Sequence, residues 1–86
     1  MIEEFDWTFH ARRRVSERKL DRFEIEMTIR FGHATRRPNA GQADWRVEGE
    51  RMDGTRFQVI YDHPVQGDAN CVRVVSVWRM HEGGLF

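Results

Sequence analysis

Apolar residues alternate with polar ones through three stretches of the second half of the chain. Trp45 and Val47 point one way in about 43–48, and Phe57, Val59 and Tyr61 alternate with Arg56, Gln58 and Ile60 over 56–61. Over 71–80 the alternation sets Val72, Val74, Ser76 and Trp78 on one face and Cys71, Arg73, Val75, Val77 and Arg79 on the other. A period of two predicts three strands, the last of them the most apolar and therefore the central one. Met52-Asp53-Gly54-Thr55 carries the Asp-Gly signal of a hairpin between the first two, and Pro64 to Asn70 reads as a loop.

The first half follows helical spacing. Phe5, Trp7 and Phe9 alternate as a short strand or an extended lead-in, and Thr8 stands as the N-cap of a helix over about 9–19 with Ala11 and Val15 turned inward. Asp21-Arg22-Phe23-Glu24 has the form of a capping box, so a second helix is expected to start there and to end at Gly32 as its C′ residue. The same residues also alternate as Phe23, Ile25, Met27, Ile29 and Phe31, which by periodicity alone is a strand over 22–31. Start and stop signals at both ends favour the helix, which would then have to be buried on two sides. Residues 33–42 carry Pro38, Asn39 and Gly41 and read as the loop from helices to sheet. The expectation is one α+β domain over 1–86, two N-terminal helices packed on a three- to four-stranded antiparallel sheet, with its core in about 5–80 and a frayed tail at 81–86.

A chain of 86 residues buries only about 60% of its unfolded surface, so the core is thin. The formal net charge is zero, which argues against a nucleic-acid binder, but every basic residue except Lys19 is arginine and the arginines are clustered. Arg12, Arg13, Arg14, Arg18 and Lys19 form one block and Arg36 with Arg37 a second, and the bidentate arginine fork suits phosphate. Cys71 is the single cysteine, which rules out a disulfide framework and a zinc site built on several cysteines. No stretch has the form of a signal peptide or a membrane span, so a soluble cytoplasmic protein, monomeric or a small homo-oligomer, is expected.

On the first helix His10, Arg14 and Arg18 fall at i, i+4 and i+8, placing one imidazole and two guanidiniums on a single anion-facing strip. His33, His63 and His81 with Asp62 match no metal-ligand spacing, and Asp62-His63-Pro64 reads as a turn; no metal or other cofactor is expected.

The order His-Ala-x-x-Arg-x-x-x-Arg from His10 to Arg18, a capped segment ending in Gly32, strands carrying Asp-Gly-x-x-Phe, and a terminal Val-Val-Ser-Val-Trp-Arg from Val74 to Arg79 resembles a family of small bacterial domains of unknown function usually grouped with the RelE/ParE-like toxins. The resemblance spans about Phe9 to Met80. It implies two helices packed across an antiparallel sheet, metal-independent cutting of RNA, including ribosome-associated mRNA, on the sheet's open face, and a cognate antitoxin protein as partner. His10, Arg14 and Arg18 match the helix motif, and Ser76 matches the small hydroxyl of the last strand. Chemistry adds Tyr61 as a proton donor and Arg13, Arg56 and Arg79 as RNA-binding cations. Attack by a 2′-hydroxyl needs a base, for which His10 is the best single candidate, and cations at the phosphorane, supplied by Arg14 and its neighbours. The scarcity of lysine and the neutral charge favour the competing reading, a nuclease-inactive module that binds a protein or nucleic acid.

Overall fold

The computed structural model describes residues 2–80. Strand β1 (Glu4–Trp7) leads into helices α1 (Phe9–Glu17) and α2 (Arg22–Arg30), and strands β2 (Arg37–Pro38), β3 (Trp45–Glu50), β4 (Arg56–Asp62) and β5 (Cys71–Arg79) follow. The five strands form one sheet in the order β1-β5-β4-β3-β2. β1 runs parallel to β5 and the other neighbours are antiparallel, so the sheet is mixed, and both helices come after the first strand. The strand at the amino end and the two-residue strand inside the expected loop account for the excess over the three- to four-stranded antiparallel sheet. The predicted tail at 81–86 lies outside the described residues.

Local chemistry explains the helices. Thr8 Oγ1 accepts from the Ala11 amide at 3.0 Å, and Asp21 Oδ1 accepts from Phe23 and Glu24 amides at 2.7 and 3.2 Å, each satisfying donors of a first turn. Glu24 does not close a capping box; its carboxylate takes Arg51 Nε at 2.7 Å, while Arg51 Nη1 donates to the Lys19 carbonyl at 3.0 Å. Arg51 thus ties the link between the helices to the β3–β4 hairpin. The competing periodicities in 22–31 resolve as a helix that buries one stripe only. Ile25 and Ile29 are fully buried, whereas Phe23 and Phe31 stay exposed.

Gly32 follows α2 for a reason other than a left-handed cap. A Cβ there would meet the Thr28 carbonyl oxygen at 2.5 Å and Val47 Cγ2 at 2.9 Å, so glycine permits the helix end to touch β3. Trp7 Nε1 donates to Glu26 Oε2 at 2.7 Å, and Arg30 lies 5.2 Å over the Phe5 ring, which fastens α2 across β1.

The core lies between the helices and one face of the sheet, built from Ala11, Val15, Ile25 and Ile29 against Val47, Phe57, Val59, Tyr61, Val72, Val74 and Val77. A bulge decides which residues of β5 face it. Ile60 pairs with Ser76 but Tyr61 pairs with Val74, so Val75 is an extra residue and the alternation changes phase. Val72, Val74 and Val77 turn to the core, and Ser76 and Trp78 share the opposite face with Ile60 and Gln58. The uniform alternation read from the sequence is corrected by that one residue. β5 is flanked on both sides, as expected of the most apolar strand, while the middle of the sheet is β4.

Candidate functional site

The bulge separates residues that the sequence placed together. Tyr61 lies on the helix-covered face, fully buried, and Ser76 on the open face beside Ile60. Arg56 is also on the open face, where its guanidinium pairs with Glu48 at 2.9 Å. Arg79, opposite Phe57, ends the covered face and is exposed. On α1 the strip is held within the helix: Arg14 Nε reaches His10 Nε2 at 3.4 Å, Arg14 Nη1 reaches Glu17 at 3.2 Å, and Arg13 reaches the same carboxylate at 3.1 Å. The Arg13 hydrogen bond, with the charges of both arginines, lowers the Glu17 pKa despite its exposure. Arg18 is the C-cap of the helix.

A second constellation forms where the loop after α2 meets the ends of β3 and β4. Gly32 accepts from the amides of Thr35 and Arg36 at 3.1 and 2.9 Å, a turn that carries Arg36 back over the sheet. Its guanidinium stacks 3.8 Å from the centre of the Trp45 ring and its Nη1 lies 3.1 Å from His63 Nδ1. An arginine only donates, so His63 Nδ1 accepts; His63 Nε2 in turn donates to the Ala69 carbonyl at 2.8 Å. These two partners select the Nε2–H tautomer. Trp45 Nε1 donates to the His63 carbonyl at 3.2 Å, and Asp44 and Asp62 accept each other's neighbouring amides, Asp62 from Asp44 at 3.0 Å and Asp44 from His63 at 3.3 Å.

His33 completes the group. Its ring meets His63 edge to face at 5.6 Å, and no residue among those described hydrogen-bonds its imidazole. The ring is exposed; the little desolvation it meets, and after it the charges of Arg36 and His63, lower its pKa from the ordinary imidazole value. Beneath lies Tyr61, whose Oη is the one buried side-chain oxygen or nitrogen among the described residues without a hydrogen-bond partner. Burial pushes its pKa up; the Arg36 guanidinium is near enough to oppose that shift without meeting hydrogen-bond geometry. A groove of about 500 Å³ opens beside the cluster, walled by Pro38, Asn39, Asp44, Trp45, Asp62 and His63.

Among the described residues no three His, Cys, Asp or Glu side chains gather as a metal-ligand set, and His81 lies outside them. In sequence, Asp62-His63-Pro64 has the form of a turn and Arg36 belongs to a basic pair, with nothing to join them. The signal that was available is the clustering of His33, Arg36 and His63 with tryptophan and tyrosine at strand ends, but only the β3–β4 pairing of Trp45 with Tyr61 reveals it. No helix in residues 2–80 is long and apolar enough to cross a membrane.

The molecule is thus an α+β domain with two helices on one face of a mixed five-stranded sheet and a histidine–arginine cluster at one end of it. The chain matches a domain of unknown function, DUF4258, over residues 7–81, and it belongs to that family. No curated protein and no solved structure matches it.

Proposed function

We propose that this domain is a RelE-like toxin, a metal-independent endoribonuclease, with its chemistry at the His33–Arg36–His63 cluster. The observation that carries the reading is an exposed imidazole, with no hydrogen-bond partner among the described residues, set edge to face against the histidine that holds the stacked Arg36 guanidinium. His33 takes the proton of a 2′-hydroxyl, and the oxygen attacks the adjacent phosphorus. Arg36, held by Trp45 and His63, neutralises the charge that grows on the phosphorane, and its fixed orientation spares reorganisation during the reaction. The bond from phosphorus to the 5′ oxygen breaks as that oxygen takes a proton from a solvent water, the hydroxide left is neutralised by the proton His33 took up, and the product carries a 2′,3′-cyclic phosphate. His63 acts through Arg36 as a positioning residue. The His10–Arg14 strip of the family resemblance is the rival centre, and a cognate antitoxin covering the active surface is the expected partner.

A second reading has its own support. Arg13, Arg14, Arg51, Arg56 and Arg73 all pair with carboxylates, which leaves much of the surface electrically balanced and favours a nuclease-inactive binding module.

The test is incubation of the purified protein with a defined RNA, alone and in a translating extract, with a chelator present throughout. Cleavage that persists with the chelator and drops at least about 100-fold in His33→Ala, with little change in His10→Ala, supports the assignment. Loss confined to His10→Ala moves the site to α1, and RNA retained intact under both conditions supports the binding module.

A further inference from the structure

The edge of the sheet carries a second basic feature on the opposite face from His33 and Arg36. β2 pairs with β3 over two residues only, and in that register Arg37 stands directly opposite Arg46. Side chains directly opposite in an antiparallel pair have Cβ atoms about 4.5–5.5 Å apart, and like charges so placed repel. Elsewhere on this face the arginines are neutralised, Arg56 by Glu48 and Arg73 by Asp6. Arg37 and Arg46 have no hydrogen-bond or ion-pair partner among the described residues, and both are exposed. They wall a depression of about 210 Å³ together with Thr35, Val47, Glu48 and Gln58. The one carboxylate there, Glu48, is committed to Arg56 at 2.9 Å.

We propose that Arg37 and Arg46 form a binding site for a phosphate group. Two guanidiniums on one short ladder offer paired N–H forks to a tetrahedral anion, which removes their repulsion, and Gln58, which lines the same depression, carries a further amide donor. Two adjacent residues of one chain thereby divide their work: Arg36 turns inward to Trp45 and His63, and Arg37 outward to the anion. The site stands whether or not the domain cleaves RNA.

Melting curves of the whole protein in sodium phosphate and in sodium chloride of equal ionic strength test the proposal, with Arg37→Gln and Arg46→Gln beside the wild type. Phosphate at roughly five times its dissociation constant is expected to raise the wild-type melting temperature by about 4–8 °C, and either substitution to remove most of that rise. In chloride each variant is expected to melt no lower than the wild type, because the like-charge contact is gone. Titration of a nucleoside 5′-monophosphate beside inorganic phosphate, followed through arginine Nε resonances, separates the sources. Equal affinity means a site for the bare anion, and tighter binding of the nucleotide means a phosphate carried on a nucleoside. A phosphate-induced rise of the same size in both variants reflects general salting-out and overturns the proposal, as does a wild type that does not respond.

Discussion

Tyr61 and His33 show how single side chains distinguish a site from a packed core. Tyr61 is fully buried with an unpartnered hydroxyl, a cost that a purely structural position would shed by carrying phenylalanine. Tyr61→Phe is therefore expected to fold and to gain about 1 kcal/mol, raising the melting temperature by about 4–8 °C; a lower melting temperature in calorimetry would show that the hydroxyl is satisfied after all. For His33, an exposed residue, the folded pKa lies below the unfolded one, by slight desolvation first and by Arg36 and His63 after it. The neutral ring's contribution is then fully present above about pH 6.5 and is lost as the pH falls through the lowered folded value. Melting temperatures of wild type and His33→Gln, compared from pH 7.5 down to about 5, should show the wild type losing ground on the acid side; parallel curves would count against the shift. The same sign gives RNA cleavage an acid limb below about pH 6.5. Tyr61 was legible as a candidate proton donor, but its burial opposite Trp45 with an unsatisfied hydroxyl was not, and His33 read only as part of a loop.

At the level of elements, caps and turns were legible because their chemistry is local. Thr8 and Asp21 cap as their types require, and Asp53 accepts the Thr55 amide at 2.9 Å in the hairpin where Gly54 takes a φ of 89°. That hydrogen bond is the main cause of the lowered Asp53 pKa. The β5 bulge was not legible, because an inserted residue in Val74-Val75-Ser76 leaves no mark on an apolar run; it becomes visible only in the pairing with β4. Thr8 links the two. Besides capping α1, its hydroxyl donates to the carbonyl of the bulged Val75 at 3.1 Å, so one side chain holds the helix start to the irregular point of the strand. Thr8→Ala should cost about 1–2 kcal/mol in chemical denaturation, with Thr8→Ser restoring most of it. An alanine variant as stable as the wild type would remove Thr8 from that role.

Across the whole molecule, the α+β class followed from a helical first half and a strand-rich second half. The topology did not. A parallel partner for β5 comes from the far end of the chain, and pairing of Phe5 with Val72 and Trp7 with Val74 depends on the helices that return the chain between them. The candidate site follows the same logic. The helix strip His10–Arg14 was visible as a spacing, whereas the cluster of His33, Arg36, Trp45, Tyr61 and His63 draws on a loop and two strands brought together by register. The arrangement puts an imidazole without a hydrogen-bond partner among the described residues, and a held guanidinium, at one end of the sheet, and from it the proposal of metal-free RNA cleavage is drawn.

The most direct measurement is the mapping of RNA ends bearing 2′,3′-cyclic phosphate in a bacterial host after tightly controlled induction of the wild type, His33→Ala and His10→Ala. Growth arrest with fresh cyclic-phosphate ends is expected from the wild type and from His10→Ala, and neither from a folded His33→Ala protein. Fresh ends that persist in His33→Ala, or a folded wild type that produces none, would contradict the proposal of RNA cleavage at His33.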